Sequence, residues 1–507
     1  MALGVATNIG SLNAQRSLAS SQAGLATALQ RLSSGLRINS AKDDAAGLAI
    51  SERMSAQIRG LDMAARNAND AISLAQTTEG ALQEASDILQ RMRDLSVQSA
   101  NDTNSATDRA SLQQEVSQLQ AELTRISTST AFNGRNVLDG TLSSGAIFQV
   151  GALQNQTITV SVGSASAAAM GNNVTTQTGN GTAGITVAQA SAATVAVTNN
   201  VTAQTLNLAG SLGATTVTVA ANNSAQTVAT AVNNVVASTG ISASAVTYAR
   251  LNNFGVGATG SVAFTLGGNA GSTTINATVV ATNDLTALVT AINTATAATG
   301  ITAALDSAGN GSLIMTDSKG ADITIQDVLI NGGGFTSRTL DFAGGSLSSA
   351  GTFTATTAVI LGATVNSDSS RVGGILTLSS SSTFSVSPNA ANTTLLANNT
   401  VALNSVATIS VATQLGAGAA ITTLDAALNF VNSLRGTLGA VQNRMTALIG
   451  NLQNVSGNLS EARSRIRDAD FAAETANLTK GEIAQQAGVA MLAQANSSPQ
   501  LVLKLLQ

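Results

Sequence analysis

Charged residues are concentrated at the two ends of this chain, and this partition constrains its fold more than any single motif. Residues 1–150 hold 12 basic and 14 acidic side chains, and residues 421–507 hold 7 and 6. The 270 residues between them hold only 4 basic and 7 acidic side chains and are rich in Thr, Ser, Ala, Gly, Asn and Val. This composition predicts charged, helix-forming ends that flank an insertion of a different kind.

Both ends carry the apolar periodicity of coiled coils. Near the C-terminus, spacings of four and three residues alternate without a break along one stripe, which consists of Leu434, Leu438, Val441, Met445, Leu448, Leu452, Val455 and Leu459. The N-terminal part repeats the pattern in three pieces, Leu18–Leu36, Leu61–Leu89 and Leu112–Ile126. Because a helix cannot bury so narrow a stripe alone, these helices need partner helices. Periodicity by itself also allows an ordinary helical bundle.

The middle of the chain predicts strands and an internal repeat. Alternation of polar and apolar residues indicates strands at Thr157–Val162, Thr215–Ala220 and Ile323–Ile325. Residues 228–243 match residues 288–303 with eight identities. Each copy is predicted to be a hairpin, a short helix that ends at Gly240 or Gly300, and a further strand. The alternative is similarity due to low complexity alone.

Composition excludes most catalytic and metal-binding chemistry. The chain has no Cys and no His, so disulfides, thiolate sites and the commonest general base and metal ligand are absent. The net charge of −4 argues against binding to nucleic acid or to an anionic membrane. There is no apolar run of the ~18–20 residues that a membrane span needs, and the N-terminus does not resemble a cleavable signal. We therefore expect no enzyme, no cofactor and no metal.

Two short motifs are better explained by structure than by chemistry. Gly255-Val-Gly-Ala-Thr-Gly260 matches a dinucleotide-binding pattern, but the residues after it read as a strand, whereas that pattern requires a helix. We interpret it as a loop. The carboxylate pair Asp43-Asp44, with Ser40 in a capping-box-like position, is expected to begin a helix rather than to bind a cation.

The terminal sequences closely resemble bacterial flagellin. The N-terminal motif is Leu32-Ser-Ser-Gly-Leu-Arg-Ile-Asn-Ser-Ala-Lys-Asp-Asp-Ala-Ala-Gly-Leu-Ala-Ile50, and Asn67–Leu82 continues it. The C-terminal match runs from Ile466 to Gln507, and Phe148–Gly151 resembles the strand that follows the N-terminal helices in the family. Gly481 and Gly488 are departures that lower the helix propensity of the last helix.

The resemblance implies an α+β fold in which long terminal helices pair as coiled coils around a β-rich central insertion of outer domains. By this resemblance, residues 1–42 and 468–507 are the N- and C-terminal parts of the filament-core coiled coil. Residues 43–170 and 421–467 are the N- and C-terminal parts of an inner helical domain, and the N-terminal part includes a β-hairpin. Residues 171–420 are variable outer domains, with repeat modules near 204–260 and 262–326.

By the same resemblance the chain is a structural subunit that polymerises into the extracellular flagellar filament for motility. It would leave the cell unfolded through the flagellar secretion apparatus, without a cleaved signal. The implied partners are further copies of the chain, an export chaperone and the filament cap protein, with neither nucleic acid nor membrane insertion.

A Toll-like receptor is a further implied partner. Gln90–Leu95 resembles the flagellin segment which that receptor binds, and Glu115 occupies the matching position on the next helix. Arg91, Leu95 and Glu115 would then be contact residues. Arg91 and Leu95 lie four residues apart, so we expect one helix face to present a charged fork beside an apolar anchor. The alternative is that Leu95 belongs to the coiled-coil stripe and Arg91 is a solvated charge.

Two other functions remain open from the sequence. A hook–filament junction protein also resembles flagellin at both termini, and a secreted adhesin could use a Thr/Asn-rich β region to bind a ligand. Filament formation by the purified protein would favour flagellin, whereas ligand binding by a monomer would favour the adhesin.

Overall fold

The computed structural model describes residues 8–176, 188–190, 199, 201–254, 260–279, 284–306, 311–331, 340–348, 351–355, 358–361, 369–388 and 401–505. The chain divides into two units. A first unit contains Met1–Ala75, Gly145–Val160 and Gly439–Gln507, and a second unit contains Gln76–Ser144 and Ser161–Leu438.

Long helices occupy both ends of the chain, as the charge distribution and the apolar stripes predict. In chain order, the α-helices are α1 Ile9–Ser34, α2 Ala45–Ala100, α3 Ala106–Ser129, α4 Ala225–Asn233, α5 Val236–Thr239, α6 Thr286–Thr294, α7 Thr296–Thr299, α8 Gln414–Arg467 and α9 Phe471–Leu505. A 3-10 turn lies at Val406–Thr408. The α8 stripe packs where predicted: Leu438, Met445 and Leu452 are buried, whereas Val455 is exposed.

The start of α2 differs in one detail from the predicted capping. Asp44, not Ser40, caps the helix, because its Oδ1 accepts a hydrogen bond from the Gly47 amide at 2.8 Å. Asp43 faces backwards: its Oδ2 accepts bonds from the Asn39 and Ser40 amides and from the Ser40 hydroxyl. These bonds, chiefly the one from the Ser40 backbone, lower the pKa of Asp43. The two carboxylates thus stabilise the turn before α2 and the first turn of that helix.

The strands, in chain order, are β1 Ala131–Phe132, β2 Arg135–Asn136, β3 Ala146–Gln149, β4 Thr157–Val160, β5 Gly171–Thr176, β6 Ala188–Ala190, β7 Gln204–Ala209, β8 Ala214–Val219, β9 Ser242–Asn252, β10 Gly260–Gly268, β11 Gly271–Val279, β12 Ile301–Leu305, β13 Leu313–Asp317, β14 Ile323–Asn331, β15 Leu340–Leu347, β16 Phe353–Ala355, β17 Val359–Leu361, β18 Ser369–Val372, β19 Ile375–Ser380, β20 Ser385–Pro388 and β21 Ala402–Ser405. The three predicted segments all form strands. Residues 255–259 of the glycine motif lie outside the described residues, but β10 follows where a nucleotide-binding motif would require a helix.

Within the described residues, the strands pair antiparallel in five sheets. The hairpins β1–β2 and β3–β4 form two-stranded sheets, and the second joins residues of the first unit. The other sheets have the orders β20-β7-β8, β11-β10-β14-β18-β6, and β12-β13-β9-β19-β5-β21, the last with β15, β16 and β17 attached. In the largest sheet β5 pairs with β21, so that the strand leading into the central region lies beside the strand leading out of it.

The internal repeat is a true structural duplication. The first copy runs β7, β8, α4, α5 and β9, and the second runs β10, β11, α6, α7 and β12. The helical segments end at Gly240 and Gly300, which have φ values of 73° and 78°, the left-handed conformation that glycine tolerates best. The identical polar residues make the same side-chain hydrogen bonds in both copies; for example, Thr239 and Thr299 each donate to the carbonyl four residues earlier.

Asn233 and Asn293 show this most clearly. The Asn233 side chain donates to the Ala243 carbonyl at 2.8 Å and accepts from the Ala243 amide at 2.8 Å. Asn293 makes the same pair of bonds to Ala303, at 2.9 and 2.7 Å. Each asparagine thereby joins its helix to the strand that follows.

Replacing Asn293 with Ala should lower the free energy of unfolding of the central region. Two hydrogen bonds are lost and the largely buried Ala303 backbone loses its partner, so we expect about 1–3 kcal/mol. Urea denaturation, monitored by circular dichroism, measures the change in the free energy of unfolding. Asn233→Ala should cost a similar amount, and Asn276→Ala, at an exposed position on β11, should cost much less. Equal stability of the Asn276 and Asn293 variants would contradict the role of the bidentate contact.

Candidate assembly interface

Helices α1 and α9 pack against each other in antiparallel orientation within the first unit. Near the start of α1, the Asn8 side chain donates to the Ala495 carbonyl at 2.8 Å. Farther along, Leu18 and Leu25 lie against Gly488 and Gly481 respectively. The order of these contacts is reversed on the two helices. The predicted pairing of the N- and C-terminal segments is therefore confirmed.

This helix pair leaves large apolar side chains uncovered. Among the residues of the two helices up to 497, whose exposure the structure describes, seven such side chains are between 45% and 68% exposed, namely Ile9, Leu12, Leu29, Phe471, Ile483, Val489 and Met491. Fully burying one large apolar side chain stabilises by about 1.5–3 kcal/mol relative to leaving it exposed. Several uncovered large apolar side chains on one pair of long helices indicate that these helices associate with another protein surface.

Backbone hydrogen bonds connect the two places where the terminal helices meet the rest of the first unit. The Arg37 amide donates to the Arg467 carbonyl at 2.7 Å, and the Ala469 amide donates to the Gly35 carbonyl at 2.9 Å. The Arg37 guanidinium donates to the Ile466 carbonyl at 2.7 Å. The segment before α2 and the segment before α9 are thus fixed to each other, close to the predicted domain boundaries at residues 42 and 468.

Packing in the second unit determines which predicted receptor residues are accessible. The guanidinium of Arg91 forms an ion pair with Glu115 at 2.7 Å, with 56% and 42% of the two side chains exposed. Leu95 is only 1% exposed, and Leu89 and Met92 are also buried. The structure therefore brings Arg91 and Glu115 together on the surface but places Leu95 in the core. The expectation that Leu95 would be an exposed apolar anchor beside a charged fork is wrong, because Leu95 belongs to the buried apolar stripe of α2.

The described residues offer little material for a catalytic or metal-binding site. Within them, no group of three or more Asp, Glu, His or Cys side chains is arranged to hold a metal ion. In the same parts of the chain, no helix combines the length and the hydropathy required to cross a membrane. The features that stand out are the exposed apolar residues on α1 and α9.

Three family models match the chain: the bacterial flagellin N-terminal helical region at residues 5–143, the bacterial flagellin C-terminal helical region at residues 421–506, and the flagellin hook IN motif at residues 263–319. A B-type flagellin of Pseudomonas aeruginosa is 44% identical over 517 residues, covering 100% of both chains. The chain belongs to the bacterial flagellin family. Flagellin B of Vibrio cholerae is 34% identical over 510 residues, also covering 100% of both chains.

Among solved structures, FliC from Burkholderia pseudomallei is 22% identical and has a TM-score of 0.29, with 74% of this chain and 99% of that chain covered. A flagellar junction protein from Legionella pneumophila is 13% identical, with a TM-score of 0.31 and with 83% of this chain and 100% of that chain covered.

Membership of the flagellin family confirms the resemblance inferred from the terminal motifs. This flagellin is a structural subunit of the flagellar filament, and full-length identity to flagellins favours that function over a junction protein or an adhesin. The IN-motif model matches only the second repeat copy. The first copy has the same order of elements and the same Asn233 contact, so the two copies share one fold.

Sequence reasoning missed how the α1 and α9 helices fit together. The sequence alone identifies Gly481 and Gly488 only as positions of low helix propensity in the last helix. The structure places both glycines opposite leucines of α1. Their spacing of seven residues, equal to the spacing of Leu18 and Leu25, is a signal that could have indicated this fit.

Proposed function

We propose that this flagellin builds the extracellular filament by burying the exposed apolar residues of α1 and α9 between neighbouring subunits. The observation that carries the proposal is the set of seven uncovered large side chains on this one helix pair. Their burial between copies of the chain supplies a favourable free energy of association that the isolated subunit lacks.

Polymerisation of the purified protein tests the proposal. Wild-type protein should form filaments visible by electron microscopy, and Ile483→Asp should prevent their formation because it would bury an unpaired charge. Leu305→Asp is the matched control, since Leu305 is 52% exposed but lies at the end of β12. Filaments of Ile483→Asp in normal yield would show that the exposed Ile483 side chain is not buried on assembly.

The division into domains belongs to the same proposal. Residues 1–42 and 468–507 would form the filament core, residues 43–170 and 421–467 the inner helical domain, and residues 171–420 the outer domains. The breaks between α1 and α2 and between α8 and α9 support the two inner boundaries. The proposal includes export of the unfolded chain, with a chaperone and the cap protein as partners, and membership of the flagellin family supports it.

Recognition by a Toll-like receptor is a separate proposal that rests on Arg91 and Glu115. Their ion pair is exposed and joins α2 to α3, so a partner that contacts one side chain also meets the other. Leu95 lies beneath this surface and contributes by supporting α2 rather than by direct contact. Exposed charges of this kind favour specificity and fast association.

Arg91→Ala should weaken receptor binding by about 1–3 kcal/mol if Arg91 is a hot-spot residue. Surface plasmon resonance with the immobilised receptor ectodomain measures this change. Arg125→Ala is a matched control, because Arg125 also forms an exposed ion pair, with Glu122 at 2.6 Å on α3. Equal affinity of the two folded variants, both unchanged from wild type, would contradict the proposed receptor surface.

A further inference from the structure

Two glycines lie in the interior of α9, where glycine has a lower helix propensity than almost any other residue. Gly481 and Gly488 are half-buried positions on a helix that continues well beyond both of them. They are separated by seven residues, one heptad of a coiled coil. No turn or left-handed conformation requires glycine at either position, because both lie within regular helix.

The packing against α1 accounts for both glycines. A Cβ atom built on Gly488 would lie 3.2 Å from the Cδ1 of Leu18, and one built on Gly481 would lie 3.3 Å from the Cδ1 of Leu25. Both distances are shorter than the ordinary separation of about 3.5–4.0 Å between carbon atoms. The absence of a side chain at each glycine therefore makes room for a leucine of the facing helix.

Of the registers of α9 against α1 that differ by one heptad, only the observed one places a leucine opposite each glycine. If α9 shifted by seven residues in one direction, Leu18 would meet Gly481 while Leu25 would meet Glu474, whose side chain is already largely buried near Arg31. A shift in the other direction would place Leu25 against Gly488 and Leu18 against Ala495. Either shift loses one of the two glycine–leucine contacts.

We infer that Gly481 and Gly488 are register-determining residues, which receive Leu25 and Leu18 of the same subunit and align α1 with α9 for polymerisation. This inference rests on the proposed filament function. A larger side chain at either position would separate the helices or shift their register. The apolar residues that neighbouring subunits bury would then no longer be aligned.

A size exchange across the contact tests the steric part of the inference. Gly488→Leu should eliminate polymerisation, although leucine raises helix propensity and so cannot act by weakening α9. The double substitution Leu18→Ala/Gly488→Leu returns one large and one small residue to the contact and should restore most of the filament yield. Normal polymerisation of Gly488→Leu, or failure of the double variant to recover any filaments, would overturn the inference.

Cysteine pairs test the register directly, because the chain contains no cysteine. The built Cβ of Gly488 lies 3.8 Å from the Cβ of Leu18, and that of Gly481 lies 3.6 Å from the Cβ of Leu25. Both separations fall in the range of about 3.5–4.5 Å that disulfides require. Oxidised filaments of Leu18→Cys/Gly488→Cys and of Leu25→Cys/Gly481→Cys should therefore contain an internal disulfide in most subunits.

The mismatched pair Leu18→Cys/Gly481→Cys is the control and should remain reduced. After dissociation without reductant, an internal disulfide gives a monomer of altered electrophoretic mobility. Disulfide-linked dimers, or oxidation of the mismatched pair alone, would overturn the inferred register within one subunit while leaving the filament function intact. Failure of the unsubstituted protein to polymerise would instead contradict the proposed function itself.

Discussion

Deletion of residues 468–507 should abolish filament formation. The deletion removes α9, uncovers the face of α1 that includes Leu18 and Leu25, and eliminates four of the seven exposed apolar residues proposed to join subunits. Helices of this length need tertiary or intermolecular packing to persist, so α1 should also lose its helical structure. Electron microscopy and sedimentation measure polymerisation, and far-UV circular dichroism measures the loss of helix.

The remainder of the truncated chain should stay folded, because the second unit has its own cores. Two clusters of buried apolar residues pack beneath the sheets of the two repeat copies, one around Phe264 and Phe342 and one around Leu206 and Val228. Retention of the strand signal without filaments is therefore the expected result. Filaments of normal appearance from the truncated protein would contradict the assembly role of α9.

Removal of most of the central region, unlike deletion of residues 468–507, should leave filament formation intact. The structure indicates where to join the chain, since β5 and β21 are paired with Val174 opposite Ala402. Residues 177–400 can therefore be replaced by a short Gly/Asn turn that connects two adjacent strands. The hydrogen bonds from the Val406 amide to the Met170 carbonyl and from the Ala407 amide to the Ala167 carbonyl would remain.

This shortened protein should still polymerise, and its filaments should be thinner than those of the full chain. It retains all the long helices, including α1 and α9, which carry the exposed apolar residues proposed to join subunits. The measurement is filament diameter by electron cryomicroscopy, with the 468–507 deletion as a comparison that removes far fewer residues. A soluble, helical product that never forms filaments would show that the central region makes essential contacts between subunits.

Local sequence patterns determined much of this architecture. The heptad stripes predicted the long helices, because apolar spacing of three and four residues has a single interpretation when it is sustained over many turns. The matching Asn233 and Asn293, together with Gly240 and Gly300, indicated a duplicated module. Each of these residues acts on backbone groups within about ten positions, so its effect can be read along the chain.

The tertiary structure decided the features that depend on residues distant in sequence. The stripe of α2 could not show that Leu95 faces the core while Arg91 pairs with Glu115 on the surface, since that choice depends on where α3 and α8 pack. Sequence also could not show that β9 of the first copy lies between β13 and β19, or that Gly481 and Gly488 receive Leu25 and Leu18. Periodicity specifies that a helix face or strand needs a partner, whereas partner and register depend on the fit of side chains that meet only after folding.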